Sequence, residues 1–196
     1  MKTNAKMMVI GLVLAIVFCY AGPGLAETSI GTGAAASAAV NLNFQVSIQN
    51  YIEFRVGTDG SLDTINFSPG IDDLNNSSVV AGENGDLGSG RVSVRLLSNT
   101  PSIIITATNN TPSGLVNNGD FIDWESITTT EVTGGQGSIA PPLLTNAGST
   151  TSTTPLNGAQ NILTSWAYTY TRRAGDPIPT EDGAYTGQVT YTASTP

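Results

Sequence analysis

Carboxylates beside a tryptophan are the residues of this chain with the clearest potential for chemistry. Asp123 and Glu125 flank Trp124, and Asp120 precedes them. A glycosidase needs two carboxyl groups on either side of the scissile bond. On a strand, Asp123 and Glu125 would share one face and Trp124 would lie on the other. The alternative is a solvated strand edge with a buried tryptophan, and we favour that interpretation over a hydrolase site.

Residue types that are missing exclude most other catalytic sites. The chain contains no His, its one Cys is Cys19, and its Lys residues are Lys2 and Lys6. Without His, neither a Ser-His-Asp nor a Cys-His nucleophile can be built. Zinc and copper sites normally use His or Cys as ligands. We therefore expect no catalytic residue, no transition metal and no cofactor.

Acidic residues in turn-rich segments leave calcium as the remaining metal. Calcium prefers carboxylate and carbonyl oxygens, but no EF-hand spacing is present. Such residues also form turns and keep a surface soluble. Both interpretations stay open for Asp59, Asp63, Asp72, Asp73, Glu83 and Asp86.

An aromatic stripe lies at strand spacing near the C-terminal end of the chain. Trp166, Tyr168 and Tyr170 would share one face of a strand. This face could be a carbohydrate platform, but it more often belongs to a hydrophobic core. The adjacent Arg172 and Arg173 could contact an acidic partner, or they form an exposed turn.

Residues 1–26 have the pattern of a secretory signal peptide. Lys2 and Lys6 precede an apolar stretch that ends near Tyr20, and Ala26 provides a small residue for cleavage. The alternative is an uncleaved anchor, but the stretch is shorter than the ~20 residues that span a bilayer. We expect cleavage between Ala26 and Glu27, export through the periplasm, and no membrane span in the mature chain.

The mature chain is strongly acidic. It keeps five of the seven basic residues and all fifteen acidic ones, which gives a net charge of 5 − 15 = −10. Such a chain without basic clusters is a poor ligand for nucleic acid or anionic lipid. Cys19 belongs to the leader, so no disulfide can form within the mature chain.

Apolar residues alternate with period two, which is typical of strands with one buried face. The longest run begins the mature chain: Ile30, Ala34, Ala36, Ala38, Val40, Leu42, Phe44, Val46 and Ile48. Further strands are predicted at 52–56, 61–67, 91–97, 103–107, 121–132, 166–170 and 185–193. Gly, Pro and Asn indicate loops at 68–90, 134–158 and 172–183.

These elements predict an all-β fold with a single domain. Roughly seven to nine short strands separated by turns favour an immunoglobulin-like β-sandwich, with a jelly roll as the second choice. We predict an N-terminal extension over 27–38 and the sandwich domain over 39–196.

Three segments resemble secreted Gram-negative proteins of the fimbrial-subunit type. They are Tyr51–Gly57 (YIEFRVG), Asp63–Phe67 (DTINF) and Val189–Pro196 (VTYTASTP). In that group, the resemblance implies an incomplete immunoglobulin-like sandwich, which an N-terminal strand of the next subunit completes. The chain differs in having no disulfide, and in having Thr195 where the best-known pilins have a penultimate aromatic residue.

The resemblance implies a structural subunit of a surface filament, a fimbria or pilus. The subunit would polymerise head to tail with itself, and a periplasmic chaperone and an outer-membrane usher would be its other partners. The alternative is a monomeric secreted or periplasmic binding domain, possibly for carbohydrate. The candidate donor strand is residues 28–38, with Ile30, Thr32, Ala34, Ala36 and Ala38 at its even positions.

Overall fold

A computed structural model describes residues 30–111 and 113–196 of the chain. The leader and the cleavage point between Ala26 and Glu27 lie outside the described residues. The chain divides into two units, Met1–Ile48 and Gln49–Pro196. The N-terminal extension over 27–38 and the domain boundary at residue 39 stay predictions.

Strands account for most of the second unit, as the sequence predicts. One short α-helix, α1 (Ile71–Asn76), and a 3₁₀-helix (Trp124–Ser126) interrupt them. The strands are β1 (Ile52–Val56), β2 (Ile65–Asn66), β3 (Val80–Ala81), β4 (Glu83–Asn84), β5 (Arg91–Ser98), β6 (Ser102–Asn109), β7 (Leu115–Asn117), β8 (Asp120–Ile122), β9 (Ile127–Gln136), β10 (Ser149–Pro155), β11 (Gln160–Tyr170) and β12 (Val189–Ser194).

Two antiparallel sheets form the body of this unit. In the larger sheet, β5 lies between β1 and β11, β9 pairs with β11, and β3 pairs with the end of β11. In the smaller sheet, β6 lies between β10 and β12. The short pairs β2–β4 and β7–β8 form two ribbons. The all-β class is confirmed, while the immunoglobulin-like strand order stays a prediction.

The two sheets share one hydrophobic core. Every second residue of β5 is buried, including Val94 and Leu96, and β6 does the same with Ile103 and Ile105. Trp166 of β11 is fully buried among them. Period-two alternation predicts these strands because successive side chains of a strand point to opposite faces.

Several elements differ from those expected. β10 lies within the predicted loop 134–158, and it consists of Ser and Thr with a final Pro. The predicted strand 121–132 is broken by the 3₁₀-helix at Trp124, so Asp123 and Glu125 do not share the face of a strand. Tertiary pairing decides these cases, because a partner such as β6 can recruit a segment that has no apolar period.

The long alternating run of the N-terminal part does not form a strand. Residues 30–48 have no regular secondary structure, and the large apolar side chains among them are exposed. Alternation shows only that one face of an extended segment is apolar. It does not identify the sheet that this face would cover.

The facing residues of β6 give a direct test of this core. We expect Ile105→Ala to lower the free energy of unfolding by about 2–5 kcal/mol, because it removes a fully buried side chain and leaves a cavity. Ile104→Ala is the matched control, since Ile104 points to the other face and is only half-buried. Denaturant unfolding checks the pair, and equal losses would contradict the assigned orientation of β6.

Candidate functional site

One flank of the two-sheet core is closed by a strap, residues 137–143. Gly137 begins the strap with a φ of 95°, a left-handed conformation that favours glycine. The side chain of Ile139 is then fully buried in the core. The indole N–H of Trp166 donates to the carbonyl of Ile139 over 2.8 Å. On this flank, an apolar side chain fills the space between the two sheets, and polar groups hold the backbone of the strap in place.

The strap also covers the strand edges on its own side. The carboxylate of Glu131 in β9 accepts hydrogen bonds from Ser138 Oγ at 2.6 Å and from the Ile139 N–H at 2.7 Å. On β10, Ser152 Oγ donates to the carbonyl of Ala140 at 2.7 Å, and Thr150 Oγ1 donates to that of Leu143. Sequence reasoning gave no role to Glu131, although its carboxylate ties the strap to the larger sheet.

The opposite flank, formed by β1 and β12, has no such strap in the part of the chain that the structure describes. β1 pairs only with β5, and β12 pairs only with β6. β1 and β12 approach each other without sharing a ladder. Each sheet therefore presents an edge strand here, with backbone groups available to a further strand.

An apolar groove with a volume of about 1140 Å³ opens where the end of β1 and the start of β12 meet, and more than half of its wall comes from segments 61–69 and 179–188. We call it the β1–β12 groove. Phe54 and Val56 line it from β1, and Val189 and Tyr191 line it from β12. These four side chains pack against the core yet stay half-buried, unlike their counterparts in β5 and β6. The groove is therefore a part of the core that lacks its cover.

Aromatic residues form the inner wall of the groove. The hydroxyls of Tyr168 and Tyr191 in this wall lie 3.2 Å apart. The buried ring of Trp166, which does not line the groove, meets that of Tyr191 edge to face at 5.2 Å. Burial raises the pKa of both tyrosines above their ordinary value, so both stay neutral at physiological pH. The stripe of Trp166, Tyr168 and Tyr170 is buried, which confirms the core interpretation over an exposed platform.

The carboxylates proposed for a hydrolase are engaged in structural contacts. Asp123 accepts a hydrogen bond from Asn146 Nδ2 at 2.6 Å, and Glu125 forms an ion pair with Arg173. Trp124 is buried, and its indole N–H donates to the carbonyl of Thr111 at 2.7 Å. Neither carboxylate belongs to the wall of the β1–β12 groove.

Asp120 anchors the loop that precedes β12. Its carboxylate accepts hydrogen bonds from the Tyr185 hydroxyl at 2.6 Å, from the Thr180 N–H at 2.8 Å and from the Thr180 hydroxyl at 3.1 Å. The bond from Tyr185 and then that from the Thr180 amide hold the pKa of Asp120 well below its usual range. The loop is thus fixed at one end of the groove, which Tyr185 also lines.

The calcium candidates are turn-forming residues where the structure shows their contacts. Asp63 accepts from Thr58 Oγ1 at 2.9 Å, Asp73 from the Gly70 N–H at 2.9 Å, and Asp86 from the Ser93 N–H at 2.8 Å. Within 30–111 and 113–196, no three His, Cys, Asp or Glu side chains come together as a metal site requires.

The two arginines after β11 have separate contacts. Arg172 Nε donates to the carbonyl of Leu74 in α1 at 2.5 Å, while Arg173 pairs with Glu125. Both guanidinium groups therefore tie this turn to the two short helices, α1 and the 3₁₀-helix.

A side-chain amide fixes the point where the N-terminal segment meets the folded unit. Asn99 Oδ1 accepts from the Tyr51 N–H at 2.9 Å, and Asn99 Nδ2 donates to the Gln49 carbonyl at 3.0 Å. Asn99 thus holds residues 49–51 on both sides of Asn50, just before β1. We call this contact the Asn99 clamp, and no sequence signal distinguishes it from an ordinary turn asparagine.

The candidate donor strand lies in the first unit. Residues 28 and 29 are outside the described residues, and 30–38 contain a turn in which the Ala36 N–H donates to the Gly33 carbonyl at 3.2 Å. Its even positions, Ile30, Thr32, Ala34, Ala36 and Ala38, are exposed. Their role as a donor strand stays a prediction.

No protein-family model, no curated protein and no solved structure matches the chain. The resemblance to fimbrial subunits therefore rests on the sequence segments quoted above. The role of the β1–β12 groove is therefore argued from its residues and their contacts alone.

The Asn99 clamp can be tested by removing its amide. We expect Asn99→Ala to lower the free energy of unfolding by about 1–2 kcal/mol, because two partly exposed hydrogen bonds are lost. The Tyr51 amide should exchange with solvent faster, while amides at the centre of β5 keep their protection. Unchanged exchange at Tyr51 would show that the clamp does not hold this segment.

The loop anchor predicts a dependence on pH with a definite sign. Because the folded pKa of Asp120 lies below its unfolded value of about 3.9, its stabilising contribution is present above that value. It is lost as the pH falls through the folded pKa. In Tyr185→Phe the pKa of Asp120 should rise, and stability should fall less steeply below pH ~4 than in the wild type.

Carboxyl ¹³C NMR titration measures this pKa directly. Thr180→Val is the matched control, because the Thr180 hydroxyl is the weakest of the contacts that lower it. We expect a smaller rise in that variant. A larger rise in Thr180→Val than in Tyr185→Phe would refute the assigned order of the contacts.

Proposed function

We propose that the protein is a structural subunit of a bacterial surface filament, a fimbria or pilus, which assembles when each subunit donates an N-terminal strand to its neighbour. The observation that carries this proposal is the open β1–β12 groove. A strand added there would gain main-chain hydrogen bonds from a sheet edge and would place alternate side chains against the core. A head-to-tail contact of this kind does not close on itself, so it grows fibres.

The contrast between the two flanks supports a missing strand rather than a ligand cavity. At the closed flank, one apolar residue of the strap, Ile139, fills the space between the sheets. At the open flank, the inner residues of β1 and β12 have no such cover, and Phe54 and Tyr191 stay half-buried. An added strand would supply the side chains that the strap supplies on the other side, and it would add backbone pairing at a sheet edge.

The proposal includes how the subunit reaches the surface. The leader over 1–26 would direct export through the periplasm to the cell surface. An uncovered groove invites uncontrolled edge-to-edge association, so a periplasmic chaperone and an outer-membrane usher fit as transient partners. Within 30–111 and 113–196, no helix is long and apolar enough to cross a membrane.

A role without catalysis is part of the same proposal. It is supported by the engagement of Asp123 with Asn146 and of Glu125 with Arg173. The chain also has no His, and it has no Lys after residue 6. A structural subunit requires none of these groups.

Assembly of the exported protein tests the proposal. We expect a ladder of sizes in unboiled gel samples and filaments in micrographs of sheared cell-surface material. Val189→Asp should abolish both, because it places a charge inside the apolar groove, where burial without a partner costs several kcal/mol. Thr190→Asp is the matched control, since its side chain lies on the exposed face of the same strand.

The folded state of both variants is checked by near-UV circular dichroism. A wild-type protein that stays monomeric at the cell surface and at high concentration would contradict the proposal. It would favour a monomeric secreted domain that binds a ligand in the same groove.

A further inference from the structure

Three of the five arginines of the mature chain lie on one face of the larger sheet. β5 buries its even positions, so Arg91 and Arg95 point to the outer face, away from the core. Phe54 and Val56 of β1 pack against the core, so Arg55 between them points outward as well. We call the three residues the arginine cluster. It cannot be seen as a basic run in the sequence, because the pairing of β1 with β5 brings its members together.

The cluster has more positive charge than the carboxylates beside it neutralise. Arg95 forms an ion pair with Glu53 at 2.9 Å. Asp86 also touches this face, but its carboxylate accepts hydrogen bonds from the N–H and the hydroxyl of Ser93. The other two arginines form no ion pair in the part of the chain that the structure describes. The local charge is 3 − 2 = +1, on a mature chain whose net charge is −10.

The guanidinium groups of the cluster keep donors without acceptors. Arg91 Nη2 donates to Ser165 Oγ at 3.0 Å, which places its guanidinium against the sheet face. The Nε–H groups of Arg55 and Arg91 are buried and have no hydrogen-bond partner among residues 30–111 and 113–196. Both side chains are only partly buried, so a ligand can reach them. A carboxylate suits such donors, because its two oxygens match the fork of a guanidinium.

The arrangement of the cluster does not serve the stability of the sheet. Arg55 lies directly opposite Arg95 in the β1–β5 ladder. Like charges in directly opposite positions destabilise an antiparallel pair. A local conflict of this kind is expected where a residue serves function rather than folding.

The other half of the same face is polar. On β11 and β9 it presents hydroxyl and amide groups, which can donate to and accept from the hydroxyls of a sugar. These groups belong to Asn161, Thr169, Thr128 and Thr130. No aromatic side chain faces outward from β1, β5, β11 or residues 127–132. Nucleic-acid bases therefore have no ring on which to stack.

We propose that the arginine cluster binds a linear polysaccharide that carries carboxylate groups at intervals. The carboxylates pair with Arg55 and Arg91, and the sugar hydroxyls contact the polar half of the face. The charges of the polymer have to be sparse, because a dense polyanion would also bring negative charges against Glu53 and Asp86. This inference goes beyond the proposed function, since it uses neither the β1–β12 groove nor the N-terminal segment.

Binding of hyaluronan to the full-length exported protein tests the inference. This polymer carries one carboxylate in each disaccharide, and neutral dextran is the control polymer. Titration calorimetry is done at 0.15 M salt, where a Debye length of about 8 Å lets the polymer sense the cluster rather than the whole acidic subunit. We expect saturable binding of hyaluronan, no binding of dextran, and at least about tenfold weaker binding of duplex DNA.

Substitution of single arginines locates the site. We expect Arg55→Gln and Arg91→Gln each to weaken hyaluronan binding by about threefold to tenfold. Arg173→Gln is the matched control, because it removes the same charge from a residue that pairs with Glu125, and we expect a change below about twofold. The denaturant midpoint of Arg55→Gln should equal or exceed that of the wild type, since one of two opposed like charges is gone.

Four outcomes would overturn the inference. Hyaluronan could bind no better than dextran, or DNA could bind as tightly as hyaluronan. Arg173→Gln could weaken binding as much as Arg55→Gln, which would make net charge responsible instead of the cluster. Finally, Arg55→Gln could abolish filaments while hyaluronan fails to bind the wild type, which would assign the cluster to a contact between subunits. That last result would leave the proposed function standing, whereas hyaluronan binding by a protein that never forms filaments would refute the proposed function alone.

Discussion

Closure of the space between two sheets is the constraint on which this structure depends. Each sheet buries one face, so the core must be covered where the sheets end as well as where they meet. On the side of β9 and β10, Ile139 enters the core while Glu131 anchors the strap backbone. On the side of β1 and β12, the described chain supplies nothing equivalent. The proposed function rests on this asymmetry, because one flank is left open to a partner.

The elements that sequence could predict are those whose own side chains decide their position. β5, β6 and the end of β11 have alternating apolar residues, and each buries them. β10 could not be predicted, because its Ser and Thr residues pair with β6 without providing an apolar face of their own. The 3₁₀-helix at Trp124 was also missed, since a buried tryptophan at that position fits a strand and a tight turn equally well.

Only part of the candidate site could be predicted from the sequence in the same way. Period two identified the N-terminal run and the inward residues of β12, such as Val189 and Tyr191. It could not show whether residues 28–38 act as a donor strand, because that depends on a groove formed by residues far apart in the chain. Nor could it identify the Asn99 clamp, since an exposed asparagine in a turn has many possible roles. The size and charge of the side chains in a donor strand can be interpreted only when the groove that would receive the strand is known.

Under the proposed function, an apolar row such as Val40, Leu42, Phe44, Val46 and Ile48 would have to choose one register in a groove. A slip by one residue would turn the polar face into the groove, so it is opposed by every side chain at once. A slip by two keeps the apolar face inward, and only differences in side-chain size oppose it. Phe44 is the largest of the five and stands at their centre, with Leu42 and Val46 beside it. A shift by two would place this ring where a smaller side chain belongs and leave a void in its former place, and both errors are costly in a packed core. In the proposed filament, this fit and the backbone ladder would have to hold successive subunits together.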